Sequence, residues 1–80
     1  MNWKKDPLSL LDILREVKEH EPGDLFISIL IRQFETWVVE DRDLTTFKSE
    51  AFQVTCEFVD CYLDRAVELG VLTAWERARN

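Results

Sequence analysis

Carboxylates recur at regular intervals through residues 50–70, a segment that is otherwise rich in apolar residues. Steps of three, four or seven residues separate its acids, which are Glu50, Glu57, Asp60, Asp64 and Glu68. Such steps bring side chains to one face of an α-helix, because the helix repeats every 3.6 residues. A row of carboxylates on one face can bind a metal ion, or it can bind the cationic side chains of a partner protein.

Two acids of this row form an E-x-x-D pair in the stretch Glu57-Phe-Val-Asp60. An E-x-x-E pair, Glu16-Val-Lys-Glu19, occurs earlier in the chain. The first pair, with the Tyr62-Leu63 that follows it, resembles the E-x-x-D helix of the all-α nucleotide pyrophosphohydrolases of the MazG type. That family also uses an E-x-x-E pair on a preceding helix to hold magnesium. The resemblance implies a magnesium-dependent nucleotide hydrolase, although here a further predicted helix lies between the two pairs.

Other kinds of catalytic or metal site are not indicated. The single histidine, His20, falls near the end of a predicted helix, whereas dinuclear carboxylate sites take histidines from two helices. Cys56 and Cys61 are five residues apart, so they point in different directions on a helix and lack the Cys-x-x-Cys spacing of metal and redox sites. No nucleophile motif and no glycine-rich phosphate loop occurs. We therefore predict no catalytic residue, no metal ligand and no cofactor, and we interpret the protein as a non-enzyme.

Two helices are predicted in the part of the chain that precedes this row. Asp6-Pro7 is typical of a helix start, and apolar residues at helical spacing continue to near His20. The turn Glu21-Pro-Gly23 ends this helix. Asp24 is predicted to cap a second helix that runs to about Glu40.

The later elements are predicted to be helical as well. The third helix reaches Leu69 and ends at Gly70, and either of two threonines can cap its start: Thr45 or Thr46. Thr73-Ala-Trp-Glu76 resembles a capping box that opens a short fourth helix to Asn80. The fold class is therefore all-α, a small bundle of three long helices plus a short C-terminal helix, in a single domain over residues 1–80.

The predicted third helix sorts its side chains into two faces. The five acids of the row, together with Gln53, fall within about 80° of arc. We expect the opposite face to pack against both earlier helices, which makes the third helix the central packing helix. That face carries Phe47, Ala51, Phe52, Phe58, Val59, Tyr62, Leu63, Ala66 and Leu69, and on its border lie Val54, Cys61 and Val67.

Neighbouring acids within the row repel one another. The pairs Glu57/Asp60, Asp60/Asp64 and Asp64/Glu68 each cost about 0.2–0.5 kcal/mol, which salt partly screens and which Arg65 can offset for one pair. Fold stability does not require the row, so we interpret it as a rod of negative charge about 27 Å long that docks on a basic surface. The alternative interpretation is an ordinary solvent-exposed face in an acidic protein.

Composition narrows the class of partner. The 80 residues carry a net charge of −6, which repels nucleic acid and anionic membranes and favours basic proteins. No apolar run reaches the ~18 residues of a membrane span, and the N-terminal segment does not resemble a signal peptide. We therefore expect no direct nucleic-acid or membrane binding, and we predict a cytoplasmic location in the protein's own cell or in a host cell.

Apolar residues that lie outside the apolar stripes of the predicted helices are candidates for other partner-binding surfaces. Phe26 and Ile29 lie off the apolar stripe of the second helix, which is compatible with an apolar interface in a homodimer or an accessory subunit. Trp3 and Trp75 either close the core or anchor an interface.

The leading interpretation is a small acidic binding module that blocks a basic surface of a larger protein, possible partners including proteins that bind nucleic acid. Inhibitors, immunity proteins, antitoxins and nucleic-acid mimics in phage or bacterial defence fit this physical description. The alternatives are the magnesium-dependent hydrolase and the accessory subunit of an oligomeric complex.

Overall fold

The computed structural model describes residues 3–40 and 43–79, with side chains as far as residue 76. Helices make up most of this part of the chain, and no strand occurs in it: α1 (Pro7–His20), α2 (Leu25–Glu40), a 3₁₀-helix (Leu44–Thr46), α3 (Glu50–Glu68) and α4 (Val71–Arg79). The predicted all-α bundle is confirmed. None of these helices is both long and apolar enough to cross a bilayer.

Side-chain caps begin α1 and α2 at the predicted positions. The Oδ1 atom of Asp6 accepts a hydrogen bond from the backbone N–H of Ser9 at 3.4 Å, and Pro7 is the first helical residue. Asp24 Oδ1 accepts from the N–H groups of Phe26 and Ile27 at 3.1 and 3.3 Å. Both predicted starts are confirmed because each acid satisfies donors that the first turn of a helix leaves free.

The start of α3 differs from the prediction. Asp43 Oδ1 accepts from both the N–H and the hydroxyl of Thr45, at 2.9 and 2.5 Å, so the threonines form a 3₁₀-helix instead of capping α3. Leu44 is completely buried in this turn, and its N–H donates to the carbonyl of Lys4 at 2.7 Å. The chain then runs extended, and Ser49 caps α3 by accepting from the N–H of Phe52 at 3.2 Å. The predicted start at Thr45 or Thr46 is wrong, and α3 has 19 residues.

Gly70 separates α3 from α4 as predicted, with a φ of 76° in the left-handed region that favours glycine. α4 begins directly after it, at Val71, and the N–H of Ala74 donates to the Gly70 carbonyl at 3.1 Å. Thr73 therefore lies inside the first turn, and the predicted capping box from Thr73 to Glu76 is wrong. The predicted end of this helix, Asn80, lies outside the described residues.

The core is centred on α1 and not on α3. α1 contacts α2, α3 and α4, and four of its apolar side chains are completely buried: Leu10, Ile13, Leu14 and Val17. α3 buries fully only a narrow strip at seven-residue spacing, made of Phe52, Val59 and Ala66. The predicted role of the third helix as the central one is wrong, because α2 packs closely on α1 and meets α3 mainly through aromatic side chains.

Those aromatic side chains hold the first half of α3 against α2. Trp3 is buried, and its ring centroid lies 5.6 Å from that of Phe34 on α2 and 6.1 Å from that of Phe52 on α3. Trp37 reaches Phe52 as well, at 5.3 Å between centroids. Trp3 thus belongs to the core, and Trp75 is half-buried against it.

Candidate protein-binding surface on α3

The five acids predicted to bind a partner lie on one uninterrupted helix, α3, and all of them are exposed: Glu50, Glu57, Asp60, Asp64 and Glu68. We call this row the acidic ridge. Between its first and last acids the helix rises about 27 Å. The later start of α3 removes no member of the ridge, because Glu50 is the first residue of the helix.

Ion pairing differs along the ridge. Glu68 Oε2 accepts from Arg65 Nη1 at 3.0 Å. Within the part of the chain that the structure describes, the other four acids have no ion-pair partner: Glu50, Glu57, Asp60 and Asp64. Most of the negative charge of the ridge is therefore not neutralised by the described residues.

Arg65 connects the end of α3 to the turn between α1 and α2. Its Nε donates to Glu21 Oε1 at 2.5 Å, and its Nη2 forms an ion pair with the same carboxylate. The hydrogen bonds to Glu21 first, and then to Glu68, raise the pKa of Arg65. The arginine that was predicted to offset repulsion on the ridge is thus held mainly by an acid outside it.

Asp24 joins α2 to α3 through a contact that sequence reasoning missed. While its Oδ1 caps α2, its Oδ2 accepts from the Tyr62 hydroxyl at 2.7 Å. The pKa of Tyr62 is raised, first because burial disfavours the phenolate, then because of the hydrogen bond and negative charge of Asp24. The two residues are 38 positions apart, and no local pattern signals such a pair.

An open groove of about 200 Å³ lies between α2 and α3. Phe26 and Ile29, the predicted apolar interface residues, are 41% and 63% exposed and line it. Its other lining residues are Leu30, Gln33, Thr55 and Phe58. The ring centroids of Phe26 and Phe58 are 4.8 Å apart, so the two helices meet there through their side chains. We call this feature the apolar groove.

Two residues that the sequence placed on the packing face of α3 are exposed in the structure. Phe58 was predicted to be buried, yet it is 42% exposed, and the same face exposes Ala51. Val54, predicted on the border of the core face, is 53% exposed. The helical period correctly places Phe58 near the margin of the apolar face. Whether this margin is exposed depends on the distance between α2 and α3, which the period does not report.

The acidic pairs behind the hydrolase resemblance lie on different helices. Glu16 and Glu19 are exposed on α1, and Glu57 and Asp60 are exposed on α3. Among the described residues, which include all four acids, no three His, Cys, Asp or Glu side chains lie close enough to hold one metal ion. The structure thus provides no carboxylate cluster that supports the resemblance.

The two cysteines are free and differ in environment. Cys61 is exposed beside the acidic ridge, whereas Cys56 is half-buried against the core. Burial raises the pKa of the Cys56 thiol, which disfavours the reactive thiolate at neutral pH.

Comparison with protein-family models, with curated proteins and with solved structures gives no significant match to this chain. Function is therefore inferred from the exposed charges and apolar groups of α2 and α3.

Proposed function

We propose that the protein is a non-catalytic binding module that blocks a basic surface of a larger protein through the acidic ridge. One observation carries this proposal. Four ridge acids are exposed on one helix face, with no ion-pair partner among the described residues: Glu50, Glu57, Asp60 and Asp64. Inhibitors, immunity proteins, antitoxins and nucleic-acid mimics are the classes of protein that fit such blocking of a target surface. The proposed place of action is the cytoplasm of the protein's own cell or of a host cell.

The energetics of the ridge support a partner. Like charges at three- and four-residue spacing destabilise a helix by about 0.2–0.5 kcal/mol per pair, so the ridge weakens the isolated fold. Lys and Arg side chains of a partner would convert this repulsion into attraction. Such charges accelerate association and select among partners, and their effect decreases with salt.

Charge density indicates how closely the ridge imitates nucleic acid. The ridge carries five charges over about 27 Å, whereas one strand of duplex DNA carries a phosphate for every ~3.4 Å of helix axis. The ridge thus has roughly half the linear charge of a single strand. It fits a basic protein surface of moderate charge better than a groove built to neutralise every phosphate of a strand.

Charge reversal on the ridge tests this proposal. We expect Asp60→Lys with Asp64→Lys to abolish capture of basic proteins from a lysate of the source cells, and we expect about 0.5 M salt to release them from the wild-type chain. The matched control reverses two exposed acids of α1, Glu16→Lys with Glu19→Lys, and should capture as the wild type does. Circular dichroism checks that all chains are folded. If the ridge variant captures the same proteins, the ridge is only a solvent-exposed face.

The exposure of Phe26 and Ile29 favours a second candidate, an accessory subunit or homodimer whose interface is the apolar groove. Analytical ultracentrifugation of the isolated chain tests it: a stable oligomer that Ile29→Gln dissociates supports this candidate. The magnesium-dependent hydrolase has no comparable observation in its favour.

A further inference from the structure

We propose that the apolar groove and the acidic ridge together form one surface that binds a basic amphipathic helix of the partner protein. The inference rests on the proposed function of the ridge. It specifies which structural element of the partner binds here and which flank of that element faces α3.

The ridge and the groove adjoin on α3 without a gap. Val54 lies three residues before Glu57 and four before Phe58, and Cys61 lies four residues after Glu57 and three after Phe58. Residues at these spacings are neighbours on a helix surface. Because Val54 and Cys61 are both exposed, an uninterrupted apolar strip connects the acids of the ridge to the aromatic edge of the groove.

The groove has room for a side chain of the partner. Its volume is about 200 Å³, and an apolar cavity of ~150 Å³ accommodates a benzene ring. Ile29 and Phe26 on one side and Phe58 on the other present apolar surface to this space. One large aliphatic or aromatic side chain is therefore the expected anchor.

The negative charge of this chain favours a cationic occupant of the groove over a second copy of the chain. A second copy of this chain would bring another net charge of −6 to the same surface and place two ridges close to each other, which opposes self-association. A cationic segment gains both apolar contact and charge complementarity. A neighbouring depression on α2 shares Ile29 and Gln33 with the groove, and Arg32 and the uncharged Thr36 line it as well. The basic flank of the occupant must therefore face α3.

A helix fits this arrangement better than a strand. The groove meets α3 at Thr55 and Phe58, within the span of the ridge, so the occupant needs an apolar anchor and basic residues on adjacent flanks. A helix provides them at i, i+3, i+4 and i+7, whereas successive side chains of a strand point to opposite faces. A helix of about 18 residues matches the ~27 Å length of the ridge.

A synthetic peptide is the probe for this inference. It is a labelled helical peptide of about 18 residues, with Leu and Phe on one face and Lys along one flank, and its control has the same composition in scrambled order. Fluorescence anisotropy measures the affinities. We expect the patterned peptide to bind at least about tenfold more tightly than the scrambled one, because only it can use both surfaces.

Two pairs of variants separate the groove from the ridge. Ile29→Gln should weaken the patterned peptide by roughly 5–10-fold without changing charge, whereas Val39→Gln, at an 87% exposed position of α2 outside the groove, should not. Glu57→Gln with Asp64→Asn should weaken it most at low salt, unlike the control Glu16→Gln with Glu19→Gln. Circular dichroism confirms the fold of each variant.

Each outcome has a distinct meaning. Losses in both test pairs support the inference. Loss with the ridge variant alone overturns the groove inference and leaves the proposed function intact, while loss with Ile29→Gln alone contradicts both. Equal binding of the two peptides, or no binding at about 1 mM, overturns the inference. A dimer that Ile29→Gln dissociates assigns the groove to a second copy and overturns it as well.

Discussion

The turn between α1 and α2 and the exposed edge of α3 both carry acids, and their surroundings differ. In the turn, Glu21 accepts from Arg65, and Asp24 accepts from Tyr62 and from the first N–H groups of α2. On the acidic ridge, four of the five carboxylates have no ion-pair partner among the described residues. The turn acids act within the fold, while the ridge acids are available to another molecule.

Both arrangements depend on the same helix. Tyr62 projects from α3 toward the turn on the side of the helix away from the ridge, and Arg65 lies at the edge of the ridge, where it reaches both Glu21 and Glu68. α3 thus presents hydrogen-bond donors to its own chain on one side and carboxylates to the solvent on the other. Removing an acid should therefore have opposite effects on stability in the two regions.

The largest effect is expected at Asp24. Replacing it with Ala removes the cap of α2, worth about 1 kcal/mol, and deprives the Tyr62 hydroxyl of its acceptor, worth about another 1 kcal/mol. Urea denaturation should show a free energy of unfolding lower by about 2 kcal/mol. Asp24→Asn is the control, because Asn caps a helix as well as Asp does and keeps an acceptor. Equal losses in both variants would mean that the charge matters and the hydrogen bonds do not.

A smaller effect is expected at Tyr62, where Tyr62→Phe removes one hydroxyl. We expect a loss of about 1 kcal/mol, and a double-mutant cycle with Asp24→Ala should give a coupling energy of similar size.

The same contact has a pH dependence with a definite sign. Because the pKa of Tyr62 is raised above its ordinary value of 10.0, its contribution is complete below about pH 10 and is lost as pH rises further, since the unfolded tyrosine ionises first. The stability difference between the wild type and Tyr62→Phe should therefore shrink above about pH 10. A difference that stays constant up to about pH 11 would contradict this account.

Local signals predicted α1, α2 and the ridge. Asp6-Pro7 and Asp24 mark helix starts through hydrogen bonds that span three residues, so neighbouring sequence is sufficient to find them. The ridge depends only on the helical period within α3. Geometry that involves one element at a time was therefore predictable from sequence.

The start of α3 shows where local signals compete. Asp43 and Ser49 are both good caps, as are the threonines between them. The choice is made by Leu44, which is buried and bonded to the backbone of Lys4, forty residues earlier in the chain. The exposure of Phe58 and the bond between Asp24 and Tyr62 likewise depend on how α2 and α3 are placed around α1, which periodicity does not report.

The smallest effect on stability is expected on the ridge. Asp60→Asn with Asp64→Asn removes all three like-charge pairs, so the free energy of unfolding should rise by about 0.6 kcal/mol at low ionic strength, which is the lower limit for three exposed pairs, and return to the wild-type value in about 1 M salt. Glu21→Gln, the matched change in the turn, should instead lower stability, because it breaks the contact with Arg65. Opposite signs would confirm that one set of acids serves the fold and the other does not. If both changes lower stability, the ridge acids stabilise the folded chain, and the reason for assigning them to a partner disappears.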